Sequence, residues 1–456
     1  MSTDDELHTD DDRIDSLRPP WSGSSRRVAR RVAQPLQSFL AAEASSGILL
    51  LAAAALAVAW ANSPWSETYD ALWHTVLTIG VADWSLSEDL RHWVNDGLMS
   101  LFFLVVGLEI KRELLTGELR DPRRAALPVI AAVGGMVVPA LLYVVVNLGS
   151  EDVRGWGVPM ATDIAFALGV LTLAARSAPA SLKPFLLTLA IVDDIGAIVV
   201  IALFYSSGIS GGPLLVAAAL FAITVILQRL DVRATLVYVA LGIGVWLAFV
   251  ASGVHPTIAG VILGLLTPSV PFQRPRAVSA EAVRTAAQTD DDPEPPDADA
   301  PQWLRLAWLS REAVSPLARA EDALHPWTSY VVIPLFAFAN AGVALSADAL
   351  VDAASSRVTL GIVLGLVVGK VVGIVGASAL AVRARAGRLP EGASWRHLIG
   401  TAAVAGIGFT VSLFITDLAF ADAGASAEAK IGIFAASVVA GVVGFLVLRS
   451  APRTAG

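Results

Sequence analysis

The stretch LLTLAIVDDIGAIVVIAL, residues 186–203, places two adjacent carboxylates, Asp193 and Asp194, inside an apolar run that is long enough to cross a bilayer. A single charged and unpaired carboxylate at the centre of a membrane helix costs roughly 3 kcal/mol on insertion scales. Two neighbouring carboxylates repel each other and cost more. A structural role rarely demands this arrangement, whereas a site that binds a cation or carries protons does.

The composition is that of a polytopic membrane protein. Of the 456 residues, 55% are hydrophobic and 16% are charged, and the mean hydropathy is +0.66. The absence of cysteine excludes disulfides, thiol nucleophiles and cysteine-ligated metals. The net charge of −8 comes largely from acidic stretches at 1–15 and 290–299, which we predict to be disordered because they have little to bury.

About twelve apolar segments of spanning length recur along the chain. Arg and Lys concentrate in one set of alternate loops, while the opposite set offers little beyond Arg91, Arg154, Arg357 and Lys430. This asymmetry predicts an even number of helices, with both termini in the cytoplasm. We expect the chain to lie in the plasma membrane. The predicted spans lie near 40–61, 94–111, 124–147, 158–175, 181–206, 213–228, 234–251, 255–268, 326–346, 358–382, 397–420 and 428–449.

The spans divide into two groups around a long loop. We predict a polar N-terminal tail at 1–36, eight helices at 37–268, a cytoplasmic loop at 269–322, four helices at 323–450 and a short tail at 451–456. In the loop, the sequence LRLAWL at 304–309 is a weak signal for a segment on the membrane surface. The outer loop at 75–86 predicts a β-hairpin that could pair with its copy in a homodimer, although an ordinary capped loop fits about as well.

Two spans cannot be plain helices. The fourth begins with Gly155-Trp-Gly-Val-Pro-Met-Ala-Thr-Asp163, and the eleventh contains Ala405-Gly-Ile-Gly-Phe-Thr410. Interrupted helices at matching positions of two halves indicate a transporter site near the bilayer midplane. Spans 3–5 and 10–12 would be inverted relative to each other, because their offset of seven spans is odd. Single glycines are also common in membrane helices for close packing.

Four ionisable residues lie deep within predicted spans. They are Asp163, Asp193, Asp194 and Lys370. Lys370 is too central in its span to reach the surface, so it needs an anion. Successive helical residues point about 100° apart, so one carboxylate of the adjacent pair can face Lys370 and the other a water-filled cavity. A carboxylate that holds either a proton or a hard cation couples their exchange. A packing ion pair for Lys370, or a helix-end contact for Asp163, is the structural alternative.

These blocks resemble the NhaA family of bacterial Na⁺/H⁺ antiporters, and the resemblance covers about 38–448. Its most specific blocks are Ala161-Thr-Asp-Ile-Ala-Phe-Ala-Leu-Gly169 and Leu189-Ala-Ile-Val-Asp-Asp-Ile-Gly-Ala197. The resemblance implies an all-α polytopic membrane protein whose spans 4 and 11 are broken and cross. It implies electrogenic export of Na⁺ or Li⁺ against two protons, with no cofactor and no enzymatic activity. We expect a role in sodium and pH homeostasis and salt tolerance, and no nucleic-acid partner.

The resemblance also assigns site residues. Asp194 corresponds to the carboxylate that binds Na⁺, Asp193 to the neighbour that pairs with Lys370, and Asp163 and Thr162 to residues at the helix crossing. The implied candidates for a response to alkaline pH are Glu109, Lys111, Arg112, Glu113, Glu321, His325 and His255. Histidine titrates in the appropriate range, but packing at a helix end explains His255 equally well. Val371 and Asp322 stand where the family usually has proline and histidine.

Other functions fit the sequence less well. A Na⁺-coupled symporter of the same architecture is the alternative, but it would need more polar groups to bind an organic substrate. An intramembrane aspartyl protease needs aspartates on separate helices, and its Gly-x-Gly-Asp signature is absent. No phosphate-binding Gly-x₄-Gly-Lys-Ser/Thr pattern supports ATP-driven pumping.

Overall fold

The structure, a computed structural model, describes residues 45–81, 84–174, 179–206, 208–288 and 299–452. The predicted tail at 1–36 and nearly all of the acidic stretch at 290–299 lie outside these residues, as does most of the short tail at 451–456.

The first part of the described chain is helical apart from one pair of strands. Helix α3 contains a π-helical turn at Trp93–Leu98, and a 3-10 helix at Glu151–Met160 precedes α5. The elements are α1 (Ser45–Ala61), α2 (Ser66–Trp73), β1 (Val76–Val81), β2 (Trp84–Asp89), α3 (Leu90–Thr116), α4 (Pro122–Val146), α5 (Ile164–Ala174), α6 (Leu182–Phe204), α7 (Gly211–Arg229), α8 (Thr235–Ser252) and α9 (Thr257–Leu266).

In the second part of the described chain, every element of regular secondary structure is a helix. Helix α12 runs through three consecutive segments, Pro316–Trp327, the π-helical Thr328–Val332 and Ile333–Asn340. The other elements are α10 (Pro275–Gln288), α11 (Ala300–Glu312), α13 (Ala347–Ser355), α14 (Arg357–Arg383), α15 (Trp395–Val404), α16 (Phe409–Ala419) and α17 (Ala423–Ser450).

Length and apolar composition identify the candidate membrane helices. Seven helices of the described chain qualify (α3, α4, α6, α7, α8, α14 and α17), and the number is ten if each of three bent pairs is one span. Helix α9 is apolar but shorter. The prediction of a polytopic membrane protein built mostly of helices is therefore confirmed, while the total of twelve spans and the crossing of spans 4 and 11 stay predictions.

The loop after α1 forms a hairpin. Strands β1 and β2 pair antiparallel, with Val76 opposite Asp89 and Leu77 opposite Glu88. The side chains of Val76, Leu77 and Ile79 are exposed. The hairpin prediction is confirmed, and the alternative of an ordinary capped loop is wrong.

Glycines bring two pairs of helices into backbone contact. A Cβ atom on Gly260 of α9 would collide with the carbonyl oxygen of Ser100 on α3. On the other pair, Gly134 of α4 and Gly373 of α14 face each other so closely that a Cβ atom on either would meet the other's carbonyl. This close approach is the usual role of small residues between membrane helices, and it holds α14, with Lys370, against α4.

Candidate cation and proton site

The breaks in the two interrupted helices contact each other. The 3-10 helix and α5 meet at 44°, and α15 and α16 meet at 47°. The N–H of Asp163 donates to the carbonyl of Ile407 at 2.6 Å, and the hydroxyl of Thr162 lies 2.9 Å from the carbonyl of Ala405. Each break therefore satisfies backbone groups that the other leaves unpaired, which is how non-helical backbone is tolerated at membrane depth.

Asp163 caps two helices at once. One carboxylate oxygen accepts from the N–H of Phe166 in α5 at 3.1 Å. The other accepts from both the N–H and the hydroxyl of Thr410 in α16, at 3.1 and 2.6 Å. Because helix N-termini carry unpaired N–H groups and a partial positive charge, one buried carboxylate is stabilised by both helices.

Asp193 and Lys370 form a fully buried ion pair. The ammonium lies 2.5 Å from Asp193 Oδ2 and donates to the hydroxyl of Thr162 at 2.9 Å. Thr162 Oγ1 also lies 2.7 Å from Asp193 Oδ2, but its single proton can be donated only to Asp193 or to the Ala405 carbonyl. Asp193 Oδ1 has no hydrogen-bond partner among the described residues, which leaves one open acceptor in the cluster.

Lys370 follows a π-helical turn, Leu364–Gly369, within the continuous helix α14. Such turns insert a residue into a helix and are frequent at functional sites. Val371 lies inside the unbroken helix.

Asp194 has a different environment. It is 5% exposed, and its carboxylate makes no hydrogen bond or ion pair in the described part of the chain. Its electrostatic neighbours are three carboxylates, those of Asp193, Glu109 and Asp163, and one ammonium, that of Lys370. This excess of negative charge favours a proton or a cation at Asp194.

No group of three or more His, Asp or Glu side chains among the described residues is arranged to hold a metal ion. A cation at Asp194 would therefore draw its other ligands from hydroxyl groups, backbone carbonyls or water, which hard cations accept.

A cavity of about 730 Å³ opens at one end of the helices around α6. Its wall reaches Thr188, a buried residue on α6. Thr188 precedes Asp193 by five residues, which is about 8 Å along a helix. The cavity therefore extends from charged helix ends to a residue that is about 8 Å from Asp193 along the axis of α6. Its charged lining residues are Glu113, Glu118, Arg120, Asp121, Arg124 and Lys183.

The comparison with known families agrees with this geometry. A sequence profile of the family described as Na⁺/H⁺ antiporter 1 matches residues 37–448. The chain belongs to this family. A protein named Na(+)/H(+) antiporter NhaA 2 from Sorangium cellulosum is 47% identical over 435 residues, which cover 94% of this chain and 93% of the relative. The Na(+)/H(+) antiporter NhaA of Oleidesulfovibrio alaskensis is 45% identical over 433 residues, covering 94% and 96%. The resemblance found in the sequence is confirmed.

In this member of the antiporter family, several candidates for a pH response lie together at one end of α3. Arg112 forms an ion pair with Glu321 of α12, and Glu109 interacts electrostatically with both. Lys111 donates to the carbonyl of Thr267 at 2.6 Å. The ion pair connects α3 to α12, and the hydrogen bond connects α3 to the residue that follows α9.

Two further candidates at that end have other surroundings. Glu113 accepts from the N–H of Glu118 at 2.7 Å, so its carboxylate closes the turn after α3. His325 is exposed on α12, four residues after Glu321.

His255 belongs to a separate cluster. Its Nε2 lies 3.8 Å from a carboxylate oxygen of Asp96, and its Nδ1 lies 3.1 Å from the hydroxyl of Thr257. Asp96 also pairs with His92 at 3.1 Å. Asp96, which lies beside His255, and Lys111, which follows Glu109 by two residues, are about 22 Å apart along α3. The structure therefore does not bring His255 close to Glu109. Sequence reasoning missed His92, although its spacing of four residues from Asp96 on one helix was a signal.

A second ion pair, between buried Lys430 and half-buried Asp417, was also missed. Lys430 lies 3.1 Å from Asp417, and Asn95 donates to Asp417 at 3.2 Å. Asn340 donates to Asn95 at 2.7 Å. Lys430 was counted with the charges of the outer loops although the predicted span 428–449 contains it, and the structure places it inside α17, which begins at Ala423. Asp422, whose side chain caps α17, was a sequence signal for that earlier start.

Proposed function

We propose that this protein exports Na⁺ in exchange for protons across the plasma membrane, with both termini in the cytoplasm, and that Li⁺ can replace Na⁺. The observation that carries the proposal is the buried carboxylate of Asp194, which has no hydrogen-bond or ion-pair partner among the described residues. It is adjacent to the Asp193–Lys370 pair, where two broken helices meet. The names of the relatives as Na⁺/H⁺ antiporters support the same two ions. The expected role is sodium and pH homeostasis and salt tolerance.

Exchange follows from competition at Asp194. A sodium ion that enters through the cavity near Thr188 binds the carboxylate only after its proton has left. The Asp193–Lys370 unit takes part as a second proton carrier, because Asp193 Oδ1 is free of hydrogen bonds within the described structure. Release of one proton from each unit for each Na⁺ bound moves net charge, so transport would be driven by the membrane potential.

The broken helices provide the mobile part of the mechanism. Asp163 and Thr162 connect the two breaks through hydrogen bonds to Thr410 and Ala405. Movement of one helix group around these breaks would expose Asp194 alternately to each side of the membrane. Asp163 and Thr162 act in this proposal as supporting residues, and they hold the half-helices in register.

We also propose activation at alkaline pH. The group formed by Glu109, Arg112 and Glu321 lies at the end of α3 where the cavity opens, and Glu113 lines that cavity. His325 lies on the same helix as Glu321, while His255 would act at the opposite end through Asp96.

Reconstituted protein provides the direct test. Proteoliposomes carrying a pH gradient would receive Na⁺, Li⁺ or K⁺ between about pH 6.5 and 8.5, a range around the titration of histidine. Na⁺ and Li⁺ should collapse the gradient and K⁺ should not. Asp194→Asn should be silent, while Asp348→Asn, which alters an exposed aspartate on α13, should match the wild type. Full activity of Asp194→Asn would contradict the assignment, and no response of folded wild type to any cation would contradict antiport.

The exposed strand β1 supports a further proposal, that two copies pair through the hairpin. The unpaired edge of a two-stranded sheet can add another strand, and exposed Val76 and Ile79 would be covered by that contact.

A further inference from the structure

Helix α11 has an apolar face that the described residues leave uncovered. At 3.6 residues per turn, Trp303, Leu304, Ala307 and Trp308 share one side of the helix. Trp303 is 44% exposed, Leu304 71% and Trp308 50%. Contiguous exposed apolar surface of this kind indicates a partner.

The C-terminal end of α11 is firmly attached to the protein. Buried Glu312 accepts hydrogen bonds from Arg233 and Arg319, both at 3.1 Å. The backbone carbonyl of Glu312 accepts from the N–H of Gln273 at 3.0 Å. The orientation of α11, and therefore of its apolar face, is set by these contacts.

The contacts also place α11 level with the ends of membrane helices. Arg233 lies two residues before Thr235, where the candidate span α8 begins. Its guanidinium lies 4.5 Å from the ring centre of Phe272 and 6.0 Å from that of Trp308. Trp308 is therefore next to the boundary between an apolar span and its connecting loop.

The surface beside α11 is itself apolar and outward-facing. Helices α7 and α8 bury only a small part of their apolar residues within the protein, so lipid must cover most of them. Leu230 and Leu236, at the ends of these helices, are exposed. At Trp308, which lies beside Arg233, the face of α11 therefore adjoins the end of a span that lipid covers.

The residue types on the face suit one occupant. Tryptophan is enriched where acyl chains meet headgroups, because its ring is apolar and its N–H is polar. Arg311 lies on the same side as Leu304 and Trp308, and arginine at such a position extends its stem along lipid and its charge to the headgroups.

We propose that α11 lies in the membrane–water interface and binds lipid at the boundary between headgroups and acyl chains through Trp303, Leu304, Ala307 and Trp308. The Glu312–Arg319 contact links this helix to α12, which carries Glu321. Lipid attachment would therefore position the start of α12. The proposal does not depend on which ions the protein moves.

The lack of cysteine in the chain makes a site-specific test direct. Leu304→Cys and Trp308→Cys would each be labelled with an environment-sensitive fluorophore and reconstituted in liposomes. The matched control is Gln302→Cys, an exposed position on the other side of α11. Quenching would be measured with lipids that carry a nitroxide near the top of the acyl chain, and separately with aqueous iodide.

The expected result is at least threefold stronger quenching by the nitroxide lipid at 304 and 308 than at 302, with the opposite order for iodide. Equal iodide quenching at all three positions, without lipid quenching, would show that the face is in water. Protection from both quenchers would show that protein covers it, either the segment 1–44 or a second copy. Either of these last two results overturns the proposal. Unchanged thermal unfolding of the labelled variants verifies that they are folded.

Discussion

The two adjacent carboxylates, those of Asp193 and Asp194, have different partners. Asp193 is held by Lys370 and Thr162, while Asp194 has no hydrogen-bond or ion-pair partner in the described chain. The difference arises because successive residues of a helix point about 100° apart. One carboxylate is therefore compensated inside the protein, and we propose that the other binds a proton or a cation.

Removing one member of the buried pair should be more harmful than removing both. Asp193→Asn leaves the Lys370 ammonium buried without its anion, at an expected cost of about 3–5 kcal/mol. The double variant Asp193→Asn/Lys370→Met removes the unpaired charge and should recover part of the loss. Thermal unfolding in detergent at constant lipid content measures both. A double variant less stable than Asp193→Asn alone would contradict this account, and Asp348→Asn serves as the control.

The hydroxyl of Thr162 should matter more than its bulk. Thr162→Val keeps the shape but removes the contacts with Asp193, Lys370 and Ala405. We expect a loss of about 1–3 kcal/mol in stability, because buried polar groups lose a partner, together with much slower transport. Thr162→Ser retains the hydroxyl and should stay near wild type in proteoliposome assays. If valine and serine variants behave alike, the hydrogen bonds are unimportant.

At the scale of elements, glycine contacts decide how closely α9 can approach α3. Gly260→Ala would push a methyl group into the backbone at Ser100 and Leu104. Overpacking of this kind typically costs about 1–3 kcal/mol. Gly376→Ala on α14 is the matched control, because nothing lies within 4 Å of its added Cβ. That variant should be neutral or up to about 1 kcal/mol more stable, since alanine is the better helix former. Equal unfolding temperatures for the two variants would contradict the packing argument.

At the scale of the whole molecule, competition between ions predicts a specific pH dependence. If Na⁺ binds only to the deprotonated site, the apparent KM for Na⁺ should fall about tenfold per pH unit for each proton displaced, over the acidic part of the range. Na⁺ titrations of the pH-gradient signal in proteoliposomes measure this slope. A constant KM with a changing maximal rate would instead assign the pH dependence to groups away from Asp194, such as Glu109 and Glu321.

The hairpin makes a prediction about assembly. Replacing Val76 and Ile79 by lysine should separate the proposed dimer, because charges at a strand edge oppose pairing with another strand. The mass of the protein–detergent complex by light scattering gives the result. The same substitutions at Ser85 and Ser87 of β2 serve as a comparison. A wild-type mass of one copy would contradict the proposal outright.

The class of protein follows from the amino-acid sequence alone, because apolar length and loop charge depend only on local composition and on the bilayer as solvent. The sequence also determined the carboxylate pair and the positions of the helix breaks, since both appear as polar or glycine-rich residues within apolar runs. The strands at 76–89 followed from the same kind of local pattern.

Which side chains contact each other is seen only in the folded protein. The contact between Asp193 and Lys370 joins residues 177 positions apart, and the pairing of the breaks at Thr162 and Ala405 joins residues 243 apart. The tertiary structure also separated His255 from Glu109 and placed Lys430 inside a helix beside Asp417. Long-range contacts of this kind depend on how whole helices pack, and in this chain glycine positions and backbone hydrogen bonds at the breaks set that packing. The local sequence pattern around each residue does not predict these contacts.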